Sequence, residues 1–270
     1  TTPVCYDFEL IYSLGTMVGI DEPTSLLKLI DIVEQVGVDA MSMGVILAWI
    51  TEMFERQMIT IEDLDGIEVK WGDSEAYIEV VKKIVKPTTN FFKACGRGVD
   101  YAANQFGGKE FAMQFGKNEM PGYHTGPAGY LGFLLGARHS HLDNGGYSVD
   151  QKDLVKIDLT PEQVVDKLLE EEAIRQILSS IAVCFFARGI YDLKLVSEAV
   201  KLLGFDLSDV QLMEIGKQIH LNKYKFKIRE GFHFKKLDIP ERIYQTTDPT
   251  GKITKKFIMQ GLDYAQSLIQ

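Results

Sequence analysis

The chain has 270 residues, 46% hydrophobic and 25% charged, enough for one large domain or two modest ones with real cores, which excludes disorder, collagen-like repeats and a disulfide miniprotein. Thirty-eight acidic against twenty-nine basic residues give a formal charge of −9, so nucleic acid or an anionic membrane surface would meet a repelling field. Three scattered cysteines, Cys5, Cys95 and Cys184, are too few for a disulfide framework and suit a reducing cytoplasm. The longest apolar stretches, such as 177–187, are broken by serines or fall short of the roughly 20 residues of a membrane helix. The start Thr1-Thr2-Pro3 has neither an initiator Met nor a signal-peptide pattern and reads as an internal fragment of something longer.

Along the chain, Pro23 followed by Leu26, Leu27, Leu29, Ile30, Val33 and Val36 predicts a helix that starts at Asp21 or Glu22 and stops at Gly37. Asp39 caps a second helix through Val45, Leu47, Trp49, Ile50 and Phe54, so two helices meet at a tight Gly37-Val38-Asp39 turn. Residues 59–71 are acidic and aperiodic, a loop; helices are expected over 74–86 and 88–106, then a short strand over 111–115. Residues 116–146 are rich in Gly, Pro and His, an irregular segment wrapped on a short helix at 130–137, as functional loops often are. Thr160-Pro161-Glu162-Gln163 is a strong helix start, and further helices are expected over 192–203, 208–223 and 254–270. The fold class is therefore mainly α, with two helical domains, 1–115 and 116–270.

Four constellations carry the polar chemistry. Glu34-Gln35-Val36-Gly37-Val38-Asp39 sets two carboxylates around a glycine turn, which can hydrogen-bond a polar heterocycle, although helix capping alone explains every residue of it. Arg138-His139-Ser140-His141-Leu142-Asp143-Asn144-Gly145-Gly146 gathers two of the five histidines in one segment, suited to metal binding, to proton transfer or to a plain capping loop. Cys184 follows an apolar helix, where a lone cysteine is by default inert core. Glu9 lies within Phe8-Glu9-Leu10-Ile11-Tyr12, where desolvation would raise its pKa; an exposed helix face is the default. A phosphate loop, a Cys-x-x-Cys pair, a nucleophile elbow and His-Glu-x-x-His are all lacking.

Taken in order, these segments resemble the aldehyde ferredoxin oxidoreductase family of tungsten or molybdenum bis-pterin enzymes. The resemblance spans nearly the whole chain. It rests on Phe8 to Gly15 with Val18-Gly19-Ile20-Asp21, and on Glu34 to Asp39 with Ser42-Met43-Gly44. Gly107 to Met113 with Lys117 to Tyr123 comes next, then the His-x-His loop, Cys184, and Arg229-Glu230-Gly231 with Asp238 to Arg242. The family fold puts a β-rich pterin domain before two helical domains, and this chain resembles those two helical domains with the first absent.

The resemblance implies site residues position by position. Glu34, Gly37 and Asp39 match a first pterin motif, usually Asp-x-x-Gly-x-Asp, with glutamate for its first acid. Residues 179–184 match a second, usually Asp-x-x-Gly-x-Cys; Ser179 and Val183 become pterin contacts, and Ser179 and Ala182 replace the acid and the glycine. Cys184 matches a ligand of a four-iron, four-sulfur cluster whose other ligands lie upstream in the family. Glu9 matches a buried active-site glutamate, and the family's catalytic histidine falls near Asn144, for which His139 or His141 would substitute. The Arg-His-Ser-His-Leu-Asp-Asn-Gly-Gly form looks like the branch containing benzoyl-coenzyme A reductase catalytic subunits. The implied function is oxidation of an aldehyde to a carboxylic acid, with electrons passed through the cluster to ferredoxin. The alternatives are low-potential reduction of an activated acid or aromatic thioester, or a cofactor-free helical interaction module. The implied partners are the pterin domain, in the same or a separate chain, and ferredoxin or an iron–sulfur subunit, with self-association left open.

Overall fold

The computed structural model describes residues 3–187 and 189–269; Thr1, Thr2, Arg188 and Gln270, the last being the expected end of the final helix, lie outside the described residues. The chain divides into two units, 1–123 with 238–245, and 124–237 with 246–270. The division thus falls later than the expected one near 115, and a short segment from far down the chain joins the first unit.

In the first unit, α1 (Phe8–Leu14) is capped by the Asp7 carboxylate, which accepts the Leu10 N–H. The helix α2 (Pro23–Val36) starts on Glu22, whose carboxylate accepts the amides of Thr24 and Ser25, and α3 (Ala40–Glu55) starts on Asp39, which accepts the Ser42 N–H at 2.7 Å. Helix α4 (Ser74–Val85) follows on an Asp73 cap. The single helix expected over 88–106 is two, α5 (Asn90–Cys95) and α6 (Val99–Phe106), because Gly96-Arg97-Gly98 turns the chain and Gly98 takes φ +96°. The expected strand over 111–115 contracts to β1 (Gln114–Phe115), paired antiparallel with β2 (Asn118–Glu119), because Lys109–Phe111 winds into a 3₁₀ turn.

The core here is apolar: Leu29, Val33, Leu47 and Phe92 are fully buried, and Trp49 stacks on Phe91 at 5.7 Å while donating to the Gly108 carbonyl. Helices α1 and α3 touch backbone to backbone at Gly44, where a Cβ would stand 2.0 Å from Ser13 Oγ. The segment 238–245 is tied in through Arg242, which pairs with the buried Glu52 carboxylate and lies 5.7 Å from the Phe111 ring.

In the second unit, α7 (Pro127–Leu135) is buried along its whole length. Two single-turn helices, α8 (His141–Asn144) and α9 (Gly146–Val149), lead into a π-helical turn at Asp150–Leu154. Helix α10 (Pro161–Ser180) opens with a Thr160/Gln163 capping box. Helix α11 (Leu193–Lys201) is capped by Asp192, and α12 (Asp209–Arg229), with a Ser208/Gln211 box, runs well past the expected Lys223. The last helix is α13 (Lys255–Ile269). Helix α10 is the axis, packed by α12, α13 and α8. Among the described residues, no single helix is long and apolar enough to cross a membrane.

Candidate functional site

Two turns share one construction. At the end of α2, Gly37 adopts φ +73°, its N–H bonds the Glu34 carbonyl at 3.1 Å, and the Val38 N–H reaches the Val33 carbonyl. At the end of α10, Ala182 adopts φ +58°, its N–H bonds the Ser179 carbonyl at 3.1 Å, and the Val183 N–H reaches the Leu178 carbonyl. These are the hydrogen bonds of a helix closed by a left-handed residue. The backbone thus keeps at Ala182 a conformation that glycine adopts freely, although the side chain costs about 1–2 kcal/mol there.

The turns also expose corresponding positions. Glu34, Gly37 and Asp39 are exposed, and nothing lies within 4 Å of where a Gly37 Cβ would be. Ser179, Ala182 and Cys184 are exposed in the same way. Val183 and Phe185 pack into a small cluster with Ile177, Leu178, Val196 and Leu212, so the residues on either side of Cys184 are anchored. The default of an inert core cysteine is therefore corrected: α10 ends at Ser180, and the thiol stands in the loop beyond it. A four-iron cluster takes about four cysteine ligands. Cys184 fits one such position, and no group of three or more ligating side chains converges among the described residues.

The His-x-His segment is built differently from a metal loop. His139 is buried, with φ +57°; its Nδ1 lies 2.9 Å from the Phe133 carbonyl, and its Nε2 lies 2.9 Å from Lys227 Nζ. A carbonyl requires a donor and an ammonium requires an acceptor, so the proton sits on Nδ1 and the ring is neutral. Burial, with the Lys227 ammonium alongside, pushes the His139 pKa down to about 4. Burial also lowers Lys227 to about 8, against the pull of Glu172 and Asp143. His141 is half-buried in the first turn of α8, its ring against Tyr147. Asn144 is buried, donating from Nδ2 to the Gly132 carbonyl at 3.0 Å and to Glu172 Oε2 at 3.4 Å. The three residues therefore do not form one cluster: each has different partners.

Around Asn144 lies a nest of buried polar groups, of which the sequence pointed to Asp143 in the His-x-His segment but not to Asp150, Glu172 or Arg175. Asp143 accepts the backbone N–H groups of Arg138 and Ser140 and the Arg138 Nε at 2.7 Å. Glu172 accepts the Ala137 N–H at 2.9 Å, and burial together with the Asp143 charge pushes its carboxyl well above the usual carboxylate range. Arg175 bonds Glu171 and the Leu142 carbonyl. Asp150 accepts Thr125 Oγ1 and the Ala128 and Gly129 N–H groups at the start of α7, and burial lifts it to about 6 despite those bonds. The available signal was periodic: Glu172 and Gln176 continue the Val165–Leu168 stripe of α10 in polar residues.

Glu9, in the first turn of α1, is half-buried, and Tyr123 donates its hydroxyl to Oε1 at 2.8 Å. It is neither the fully buried acid that the resemblance implied nor a bare surface glutamate. The Phe8 ring stacks on Tyr123 at 6.1 Å and helps to hold that donor.

The family model "Aldehyde ferredoxin oxidoreductase, domains 2 & 3" matches residues 3–268. The tungsten-containing aldehyde ferredoxin oxidoreductase of Pyrococcus abyssi is 26% identical over 262 residues, covering 91% of this chain and 42% of that protein. The "aliphatic sulfonate oxidoreductase, WOR-like subunit" of Pyrococcus furiosus is 38% identical over 80 residues, covering 30% of this chain and 13% of that subunit. Among solved structures, a chain of the BamBC active-site complex of benzoyl-coenzyme A reductase, with bound 1,5-dienoyl-CoA, matches 97% of this chain and 46% of its own length. The TM-score is 0.75 at 14% identity, a likeness of fold. The chain thus spans less than half the length of the full-length relatives it matches.

Proposed function

The chain belongs to the aldehyde ferredoxin oxidoreductase family, and from that premise we propose that it is the helical portion of a tungsten- or molybdenum-pterin enzyme that oxidises an aldehyde to a carboxylic acid. The observation that carries this reading is the pair of like-built turns, the second presenting Cys184 between anchored neighbours. When bound, the metal pterin supplies the two-electron chemistry, and a four-iron, four-sulfur cluster passes the electrons singly to ferredoxin. The balance is aldehyde plus water giving acid, two protons and two electrons.

This chain's residues bind and handle protons. The Glu34 and Asp39 carboxylates would accept N–H donors of one pterin, with Gly37 leaving the turn between them open. Ser179 and the Val183 backbone contact the other pterin. Cys184 supplies one cluster ligand, the remainder coming from a pterin domain elsewhere in the same or a partner chain. Glu9, oriented by the Tyr123 hydroxyl, takes a proton from the attacking water. With both His139 nitrogens engaged and Asn144 unable to titrate, His141 is the histidine of its loop suited to carry a proton. The setting is the cytoplasm, where the thiols stay reduced.

Metal, acid-labile sulfide and pterin analysis of the full-length protein, purified without oxygen, tests this reading. About four irons per chain with tungsten or molybdenum, and loss of the iron in Cys184→Ala, is the expected result; protein free of iron and pterin overturns it. A second reading, reduction of an activated acid or aromatic thioester, is favoured by the amide of Asn144 standing where the family's histidine is expected. Assaying aldehyde oxidation and thioester reduction on the same preparation separates the two.

A further inference from the structure

Deep in the second unit, His220 on α12 and Glu172 on α10 face one another, and among the described residues no other ion pair within 4 Å involves either. His220 Nε2 stands 3.4 Å from Glu172 Oε1, and both side chains are more than nine-tenths buried. The contact is too poorly aligned to count as a hydrogen bond. His220 Nε2 and the neighbouring Asn144 Oδ1 are accordingly the buried side-chain polar atoms without a hydrogen-bond partner among the described residues. Leaving such atoms unmatched costs about 1–3 kcal/mol each, so a site that retains two of them calls for an explanation beyond packing.

His220 also lines a pocket of about 460 Å³ formed by α10, α12 and α13. Its walls are Leu169, Met213, Leu221 and Leu268, and its charged residues are Asp166, Glu170 and Lys217. The buried pair is thus one side chain away from a cavity large enough to hold several waters. On the far side, Glu172 touches Asn144 of the short helix α8, which starts at His141.

We propose that Glu172 and His220 form a proton-transfer pair that discharges to water in the α10/α12/α13 pocket. In the resting form the carboxyl of Glu172 keeps its proton and the imidazole is neutral. In transfer the Glu172 O–H bond breaks as an N–H bond forms at His220 Nε2, leaving a carboxylate beside an imidazolium. The imidazolium then swings Nε2 towards the pocket, gives that same proton to a pocket water and swings back with Nε2 bare, and the carboxylate takes up the next proton, so no electrons move and no co-reactant is needed.

The charges facing the pair pull both ways, and burial decides for the neutral resting form. Asp143, on α8, repels a Glu172 anion but favours a His220 cation, while Lys223 and Lys227, on α12, repel that cation and Lys223 attracts the anion. From α10, Arg175 is occupied by Glu171 and the Leu142 carbonyl, while Gln176 accepts from Lys223 at 2.5 Å. Tyr224 meets the His220 ring edge-on at 5.0 Å, and burial holds its hydroxyl neutral. Burial pushes His220 down to about 4 and Glu172 up, so the single proton rests on the carboxyl at pH 7. The role in turnover rests on the function proposed above, whose reaction releases two protons per aldehyde; the pair itself does not.

Infrared difference spectroscopy of the full-length protein in H₂O and D₂O tests the pair without turnover. A carbonyl band of a protonated carboxylic acid, shifting in D₂O and missing from Glu172→Gln, is expected at pH 7. In His220→Phe the band should persist while its exchange with D₂O slows by about 100-fold or more. His220→Gln serves as the second variant if the phenylalanine disturbs folding, with the same slowing expected. A spectrum in which Glu172→Gln removes no such band, or in which neither His220 variant slows exchange, overturns the proposal. Because no metal or pterin is needed for this readout, its failure is distinct from failure of the redox reading.

Discussion

In the first unit the buried polar side chains are Ser13, Thr51, Ser74 and Gln114 with one carboxylate, Glu52, whereas the second buries His139, Asp143, Asn144, Asp150, Glu172, Arg175, Gln176 and His220. The hydroxyls of the first find partners cheaply: Ser13 Oγ donates to the Ala40 carbonyl, and Thr51 Oγ1 donates to the Leu47 carbonyl of its own helix. Its carboxylate is paired with two arginines, Arg56 and Arg242. The second unit instead places ionisable groups close together in a low dielectric, where each unpaired charge costs several kcal/mol. A core that had only to hold its fold would be more stable with apolar residues of the same shape. The difference is why the proton-transfer proposal falls on the second unit and not on the first.

The largest effect that separates the units should come from the apolar one. Phe92→Ala removes a fully buried ring from its core and should cost about 3–5 kcal/mol, read as a lowered urea midpoint. In the second unit Asp150→Ala strips the acceptor from Thr125 and from two amides at the start of α7, a loss of about 2 kcal/mol at pH 7. Asp150 also sets a pH signature. Its folded pKa, near 6, stands above the ordinary 3.8, so the native state holds a proton that the unfolded chain has released. That contribution is fully present below about pH 4 and disappears as the pH rises through 6, a change of about 2–3 kcal/mol. Subtracting the stability curve of Asp150→Asn from that of the wild type isolates it; a difference that is flat between pH 4 and 6 would place the carboxylate in a site that accepts its charge.

Glu172→Gln comes next in size and sharpens the contrast further. An amide replaces a neutral carboxyl of the same shape, so stability at pH 7 should change by no more than about 1 kcal/mol. The raised pKa of Glu172 means that the wild type holds stability at low pH and loses it as the pH climbs through the folded value. The glutamine variant should lack that alkaline decline. Loss of the native fold in Glu172→Gln at neutral pH would mean that the carboxyl is ionised and paired.

The apolar unit was the more legible of the two in the sequence. The stripe from Leu26 to Val36, the Asp39 cap and the helix expected over 74–86 rest on local signals, and they mark α2, α3 and α4 nearly to the residue. The break at Gly96-Arg97-Gly98 was missed because the apolar spacing runs on through it. The return of 238–245 to the first unit depends on Arg242 reaching Glu52, 190 residues away, which no local pattern encodes. In the candidate site, the first turn was legible from helix capping alone and the second motif only by resemblance, and both are helix ends. The exposure of Cys184 depends on Val183 and Phe185 finding a cluster assembled from α10, α11 and α12. Glu172 and His220 went unremarked because an acid or a histidine on a long, mixed helix reads as a solvated face until its neighbours are known.

The finest test compares the two turns themselves, where the same backbone is carried by glycine in one and alanine in the other. At Gly37 a Cβ would meet nothing within 4 Å, so Gly37→Ala isolates the conformational cost of a left-handed alanine, about 1 kcal/mol of lost stability. Ala182→Gly runs the exchange in reverse and should gain about the same, less the few tenths that glycine's extra freedom in the unfolded chain takes back. Equal and opposite shifts in urea midpoint, with hydrogen exchange altered only around the mutated turn, would establish that the second turn holds its shape against a local penalty. That penalty is borne by Val183 and Phe185, whose packing fixes the loop on either side of Cys184. An Ala182→Gly variant less stable than the wild type would instead show that the alanine methyl is itself part of the packing, and the likeness of the two turns would then be one of hydrogen bonds alone.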